Sequence, residues 1–179
     1  MFYQLQPKLD PRKHLLVKVD GATKELTFFG GRVGFLTFAT DHETAESLLD
    51  KAAAIARATV SSAPAPSQVA VLSCLQSPSL EAELADIHSV LKRRYLKVRD
   101  CLPLLSKAGI QAFPFNSGCF TLLRLPVGQD PHTLRKKLIN EQSVGLVALP
   151  AEQALRLAYC SMNEVQIEEA LRRLAAVLN

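Results

Sequence analysis

Several classes of protein are excluded by features that this sequence lacks. It has no apolar run near the roughly 20 residues that a membrane-spanning helix needs, and residues 1–14 contain no apolar signal core. Its 21 basic residues are nearly matched by 17 acidic ones, and the only dense basic run, at 92–94, has acidic neighbours. DNA binding without sequence preference needs basic residues gathered on one face. We therefore expect a soluble, cytoplasmic segment that binds neither a membrane nor nucleic acid.

A metal site and a disulfide framework are also not indicated. The four cysteines are far apart, no CxxC pair occurs, and no cluster of cysteine and histidine has metal-ligand spacing. Isolated cysteines of this kind are typical of a reducing cytosol, where thiols pack as small apolar groups. What the chain does have is 179 residues that are 48% hydrophobic, which is enough apolar material for a sizeable core.

Apolar spacing and turn residues predict strands that alternate with helices. A buried strand is expected at 15–19, ended by an Asp-Gly turn, and a second strand at 33–38 after a pair of glycines. Further strands are expected at 110–115, 120–125, 144–149 and 154–159, and helices from about 41 to 60, at 66–75, 78–107 and 131–141, and from 161 onward. Pro103 should bend the long helix or loosen its last turn, Gly109 should end it, and Ser161 with Glu164 matches a capping box. This order of elements predicts an α/β or α+β fold.

One stretch combines residues that can carry chemistry. Lys24 follows the first strand in a turn, and Arg32 comes eight residues later among glycines. Alone, each would be interpreted as an ordinary surface charge. Together, Thr23-Lys24 and the Gly-Gly-Arg-Val-Gly at 30–34 resemble the cofactor-lysine motif of the fold-type-I pyridoxal-phosphate (PLP) enzymes, class I/II aminotransferases in particular. In that family the arginine stands eight positions after the lysine in a Gly-x-Arg-x-Gly setting.

The resemblance implies that Lys24 holds the cofactor and is the catalytic residue. A lysine amine reacts with the cofactor aldehyde once burial or nearby cations lower its pKa, and it can then act as a general base. Arg32 is implied to bind the cofactor phosphate, for which a planar guanidinium is well suited. Thr23 is expected to add a hydroxyl to the phosphate or to serve as a turn residue. Gly31 and Gly34 are expected to let the backbone pass close to the cofactor.

A second resemblance lies near the end of the chain, on the last predicted strand. The family places an arginine there, before its final helix, to hold the α-carboxylate of the substrate, and Arg156 matches this position. A bidentate hold would fix the substrate for proton abstraction. The run at 113–120 resembles an aromatic and glycine turn near the substrate. Asn116 and Ser117 are interpreted there first as turn residues and otherwise as substrate contacts.

The resemblance covers essentially the whole chain and implies its architecture. The expected fold is α/β: the C-terminal portion of the aminotransferase large domain, followed by the small α+β C-terminal domain. The expected boundaries are 1–62 for the large-domain remnant with the cofactor lysine, 63–77 for a linker and short helix, and 78–179 for the small domain. The family's aspartate for the pyridine nitrogen has no counterpart here, so we expect part of a longer protein that is inactive alone.

The implied activity is the transfer of an amino group between an amino acid and a 2-oxo acid, in a parent enzyme that is a homodimer. Three alternatives stay open: a PLP-dependent lyase or decarboxylase, the aminotransferase-like sensor half of a transcription regulator, and a non-catalytic association domain formed from residue 78 onward. An upstream strand that carries the aspartate would favour an enzyme, and an upstream winged helix would favour a regulator.

Overall fold

The computed structural model describes residues 2–10, 13–116 and 118–178. The chain divides into two units, residues 1–84 and 85–179, which differ sharply in how much apolar surface they bury. Across the described part of the chain, none of the helices combines the length and the apolar character needed to cross a membrane.

The first unit is built around a two-stranded antiparallel ribbon. Strand β1 (Leu16–Gly21) pairs with β2 (Gly34–Ala39), so that Gly21 lies opposite Gly34 at the end where the chain turns back. The other elements are helix α1 (Phe2–Leu5), a 3-10 turn (Gln6–Lys8), α2 (Ala22–Glu25), α3 (His42–Thr59) and α4 (Ala65–Leu75). Helix α3 begins at the predicted place because the Asp41 carboxylate accepts a hydrogen bond from the Thr44 N–H at 2.8 Å.

The first unit buries very few apolar side chains. Its described core is a cluster of Ala22, Val33 and Val71, with Leu26 packed against it. The prediction of a buried first strand is wrong, since Val19 is 78% exposed. No third strand pairs with this ribbon in the described part of the chain, and ribbons of two strands are marginally stable by themselves. The apolar stripe of α3 is likewise uncovered, with Ile55 64% exposed.

The second unit packs helices on one face of a four-stranded antiparallel sheet. The strand order is β3 (Gln111–Ala112), β4 (Thr121–Arg124), β6 (Ala154–Leu157), β5 (Val147–Leu149). The helices are α5 (Leu80–Lys107, which begins in the first unit), α6 (Pro131–Gln142) and α7 (Glu164–Leu178). Helix α5 continues through Pro103. It ends where Gly109, at φ +77°, turns the chain so that the Ile110 N–H donates to the Leu105 carbonyl at 3.0 Å.

Alternation along the two central strands creates the core. On β4 and β6 every second side chain points to the helices, and Leu123, Leu155 and Leu157 are completely buried. They pack with side chains from the helices and connecting segments that are also completely buried: Val98, Leu105, Ile110, Leu138, Tyr159, Ile167, Leu171 and Leu174. The side chains between them, such as Arg156, lie on the opposite face of the sheet.

The last helix starts two residues later than the predicted capping box implies. Asn163 and Gln166 form the box instead: the Gln166 N–H donates to the Asn163 side chain, and the Asn163 N–H donates to the Gln166 side chain, both at 2.9 Å. Ser161 is already used, because it closes a 3-10 turn (Tyr159–Ser161) and donates to the Ala158 carbonyl at 2.8 Å.

Tyr159 connects the turn after β6 to the segment before β4 by a hydrogen bond. Its completely buried ring directs the hydroxyl to the Gly118 carbonyl at 2.8 Å, and the neighbouring Cys160 N–H donates to the Cys119 carbonyl at 3.2 Å. Arg94 of α5 donates to the Cys160 carbonyl from the other side. The turn at 118–119 is therefore tied directly to the sheet and, through Cys160, to α5.

We expect matched isoleucine truncations to separate the two units. Ile167→Ala in α7 removes a completely buried side chain and should cost about 2 to 5 kcal/mol of unfolding free energy. Ile55→Ala in α3 removes an exposed side chain and should change the unfolding free energy by about 0.5 kcal/mol or less, since alanine also favours helix. Urea unfolding followed by circular dichroism measures both, and equal losses would contradict this account of the first unit.

The Tyr159 hydroxyl should make the second unit sensitive to alkaline pH. Burial raises the pKa of Tyr159, so the folded state holds this proton more tightly than the unfolded state does. The stability that results is constant below the unfolded pKa of about 10 and is lost as the pH rises through the folded pKa. The stability gap between wild type and Tyr159→Phe should therefore narrow from about pH 8 to about pH 11. A constant gap in urea titrations would contradict the prediction.

Candidate functional site

Lys24 lies in a single helical turn directly after β1. The prediction placed it in a turn, and the structure places it in α2, whose first residue, Ala22, is buried. Thr23 is half-buried and Lys24 is exposed. The buried alanine anchors the turn, so the lysine side chain extends from a fixed base into solvent.

A backbone hydrogen bond closes the loop that carries Lys24 and Arg32. The Ala22 N–H donates to the Val33 carbonyl at 3.1 Å, and the Phe28 N–H donates back to the Ala22 carbonyl at 2.9 Å. Together with the pairing of Gly21 and Gly34, these bonds bring both ends of the motif to one end of the ribbon. The sequence predicts the two strands but not their pairing, which is the feature that joins the lysine to the arginine.

Arg32 has an unusual backbone conformation. Its φ of +53° lies in the left-handed region, which few residues other than glycine adopt. Its guanidinium donates through Nη1 to the Phe29 carbonyl at 3.3 Å. Thr27 in the same loop has the same φ, although it is β-branched. Conformations of this kind cost about 1 to 3 kcal/mol each and cluster at functional sites.

The two glycines of the motif have local reasons to be glycine. A Cβ on Gly31 would come within 2.1 Å of the Phe28 ring, and one on Gly34 would come within 3.2 Å of the Asp20 carbonyl. The expected close approach to a cofactor is therefore not needed to explain either residue. Gly31 makes room for an aromatic ring of its own loop, and Gly34 for the opposite strand.

The charges of Lys24 and Arg32 are not neutralised within the described part of the chain. No carboxylate there forms an ion pair with either side chain. The nearest acidic group of β1, Asp20, is taken by Lys18 at 2.8 Å, and this hydrogen bond raises the pKa of Lys18. Two cations and the Thr23 hydroxyl on a fixed loop are suited to an anion with several oxygens, such as a phosphate group.

Arg156 lies on the central strand of the second unit. It pairs with Leu122 of β4 on one side and with Val147 of β5 on the other, and its side chain leaves the sheet on the face away from the core. Its Nε is buried and has no hydrogen-bond partner among the described residues. The guanidinium carbon lies 5.0 Å from the centroid of the Phe120 ring. Among the described residues, no carboxylate pairs with it.

The remaining candidates lie in or near the turn before β4. Asn116 is exposed on this segment, and Ser117 lies outside the described residues. Phe120 is the residue that sequence reasoning missed. Its spacing of two from Leu122 could have indicated it, since alternation places both on the face that carries Arg156.

The candidate residues fall into two groups that the structure places in different units. Thr23, Lys24 and Arg32 lie on the loop at one end of the ribbon, and Arg156 and Asn116 belong to the second unit. Within residues 2–10, 13–116 and 118–178, no three histidine, cysteine, aspartate or glutamate side chains form a group that could hold a metal ion. The candidate residues offer one amine, at Lys24, and two guanidinium groups, at Arg32 and Arg156.

Solved structures with a similar fold are aminotransferases. An aminotransferase from Anaerococcus prevotii matches 92% of this chain with a TM-score of 0.71 and 22% identity. LysN, an α-aminoadipate aminotransferase from Thermus thermophilus solved with N-(5'-phosphopyridoxyl)-L-leucine, matches 90% with a TM-score of 0.70 and 22% identity. An engineered aspartate aminotransferase from Thermus thermophilus matches 90% with a TM-score of 0.68 and 23% identity. At these identities the likeness shows the fold, which confirms the predicted mixed architecture.

The matched structures are much longer than this chain. It covers 39% of the Anaerococcus chain, 41% of LysN and 43% of the aspartate aminotransferase. No curated protein sequence matches it at a significant level.

The family is shown by the sequence itself. The sequence model of the family described as aminotransferase class I and II matches residues 1–174, nearly the whole chain. The cofactor of that family is pyridoxal phosphate, in agreement with the motif around Lys24. The chain therefore belongs to the class I and II aminotransferases.

Proposed function

We propose that this chain is the C-terminal segment of a PLP-dependent aminotransferase that transfers an amino group between an amino acid and a 2-oxo acid. The observation that carries the proposal is the closed loop between β1 and β2. It carries Lys24 and Arg32, neither of which forms an ion pair among the described residues, at one end of the ribbon in a chain of this family. An amine and a guanidinium on one closed loop fit the aldehyde and the phosphate of PLP.

Each residue of the loop has one role in the proposal. The Lys24 amine holds the cofactor covalently and afterwards moves a proton as a general base. Arg32 binds the cofactor phosphate through its planar guanidinium, and the Thr23 hydroxyl adds a hydrogen bond to the same group. The cofactor, when bound, supplies the electron sink that this chain's own side chains lack.

The second unit supplies the hold on the substrate. Arg156 would bind the α-carboxylate of the amino acid or 2-oxo acid through its Nη nitrogens, which form no hydrogen bond or ion pair within the described residues. Asn116, exposed on the turn before β4, is a further substrate contact in the proposal. A half-buried cation without a hydrogen-bond acceptor is unfavourable unless a ligand provides an acceptor, which supports this role of Arg156.

We further propose that this polypeptide does not complete the reaction alone. It spans 39% to 43% of the matched aminotransferases, and its first unit leaves strand and helix surfaces uncovered. In the proposal residues 1–62 are a remnant of the large domain, 63–77 a linker and 78–179 the small domain, and the parent enzyme is a homodimer. The missing part would cover the ribbon and protonate the cofactor ring.

Covalent capture should test the role of Lys24. The purified chain is mixed with PLP, reduced with borohydride and mapped by mass spectrometry. We expect a phosphopyridoxyl group on the Lys24 peptide, with no labelled peptide at that position in Lys24→Ala, and no amino transfer by the unreduced chain. Lys51→Ala, which removes an equally exposed lysine from α3, should leave the labelling unchanged. Equal labelling of many lysines would contradict a specific site.

Loss of the Arg32 guanidinium should weaken binding of phosphate groups. Charge-assisted hydrogen bonds are worth about 1.5 to 3 kcal/mol, so Arg32→Ala should raise the Kd for PLP about 10- to 100-fold. Arg32→Lys keeps the charge without the planar guanidinium, so its Kd for PLP should lie between those of wild type and Arg32→Ala. Arg57→Ala removes an exposed arginine of α3 and serves as the control. An unchanged Kd in Arg32→Ala, measured by equilibrium dialysis, would remove Arg32 from the site.

A further inference from the structure

Phe120 is an aromatic side chain on the functional face of the sheet. It directly precedes β4 and lies diagonally across from Arg156, because Leu122, two residues later, is the direct partner of Arg156. The ring is 43% exposed and does not belong to the buried core. Its contact with the guanidinium, at 5.0 Å, is the only ring contact of Arg156 among the described residues.

The ring touches Arg156 without using any of its hydrogen-bond donors. An aromatic ring within about 6 Å attracts a cation through its π face and has no oxygen acceptor for the N–H groups of the guanidinium. A carboxylate or amide partner from the chain would instead occupy the donors that a ligand needs. The contact therefore restricts the side chain, while the Nη nitrogens, which are not among the buried atoms and form no hydrogen bond within the described residues, stay available.

The ring is itself fixed by the segment that precedes it. The Tyr159 hydroxyl holds the Gly118 carbonyl at 2.8 Å, and the Cys160 N–H holds the Cys119 carbonyl at 3.2 Å, one residue before Phe120. Both anchors lie in the 3-10 turn after β6, three and four residues after Arg156. Arg156 and the Phe120 ring are therefore both positioned by β6 and the turn that follows it.

We propose that Phe120 is a positioning residue, which orders the Arg156 guanidinium for a substrate carboxylate and is held in place by Tyr159 through Gly118. The role rests on the proposed function of Arg156. Its physical basis is the rotamer entropy of a long side chain, which a preordered arginine has already lost before the ligand binds. A cation–π contact contributes about 0.5 to 2 kcal/mol, which corresponds to roughly 2- to 30-fold in Kd.

A second arginine on the same face provides a control within the chain. Arg124 of β4 lies 4.5 Å from the Phe113 ring centroid, so it has the same kind of contact. Arg124 is exposed, and its Nε is not a buried donor without a partner. Phe113→Leu therefore removes an equivalent aromatic contact from an arginine that has no ligand in the proposal.

The test is a titration of the full chain, labelled with 15N-arginine, with pyruvate as the carboxylate probe. The Arg156 Nε–H signal is identified by its absence in Arg156→Lys. We expect saturable shifts in wild type, a Kd raised about 2- to 30-fold in Phe120→Leu, and recovery to within about twofold in Phe120→Tyr, which keeps the ring. Phe113→Leu should bind pyruvate like wild type. Before pyruvate is added, Phe120→Leu should also shift the Arg156 signal, because the ring current is lost.

The outcomes separate the two assignments. An unchanged Kd in Phe120→Leu, with wild type binding pyruvate, would overturn the positioning role and leave Arg156 as the carboxylate ligand. No saturable shift in wild type would overturn the carboxylate assignment and the positioning role with it. If Phe120→Leu lowers only the unfolding midpoint, with no change in the Arg156 signal or in Kd, the ring is structural and the positioning role is wrong.

Discussion

The packing of one face of the four-stranded sheet fixes the chemistry on its other face. Leu155 and Leu157 are completely buried against the helices, and Arg156 lies between them on a strand paired on both sides. Because successive side chains of a strand alternate between faces, a register shift of one residue would expose both leucines and bury the guanidinium. The free energy that holds the core together therefore also holds the arginine in place. Core and site cannot be altered independently at this strand.

The loop of Lys24 and Arg32 depends on a different kind of interaction. Few apolar side chains are buried around it, and its geometry comes from backbone hydrogen bonds between Ala22 and Val33 and along the ribbon. Regions with few buried apolar contacts open at low free-energy cost. Arg32 adds a strained φ to such a region. The backbone hydrogen bonds of the ribbon therefore hold a strained residue with little help from apolar packing.

Much of the second unit follows from local sequence, whereas the contacts that shape the site do not. Helix α6 was expected at 131–141 and runs Pro131–Gln142, because its proline and its apolar spacing act within the helix itself. The cap of α7 was misplaced, because Ser161 is used by a 3-10 turn that only the tertiary structure reveals. The bonds of Tyr159 and Arg94 span 41 and 66 residues, distances at which local patterning has no force. Motif spacing predicts Lys24 and Arg32 as site residues, but it does not predict the hydrogen bond that closes their loop or the left-handed φ of Arg32.

The arginines of the second unit differ in whether their guanidinium groups have a hydrogen-bond acceptor within the chain. Arg93 bonds Glu164 at 3.2 Å and Arg173 bonds Glu169 at 2.7 Å, so their charges have acceptors within the chain. Arg94 also has a buried Nε without a partner, but its Nη1 is anchored on the Cys160 carbonyl. Arg156 is half-buried and has only an aromatic face against it, and no hydrogen bond of its guanidinium is formed within the described residues. Taking a guanidinium partly out of water without an acceptor is unfavourable, so Arg156 lowers the stability of the unit. Among the described arginines of the second unit, Arg156 alone combines a buried Nε with a guanidinium that forms no hydrogen bond.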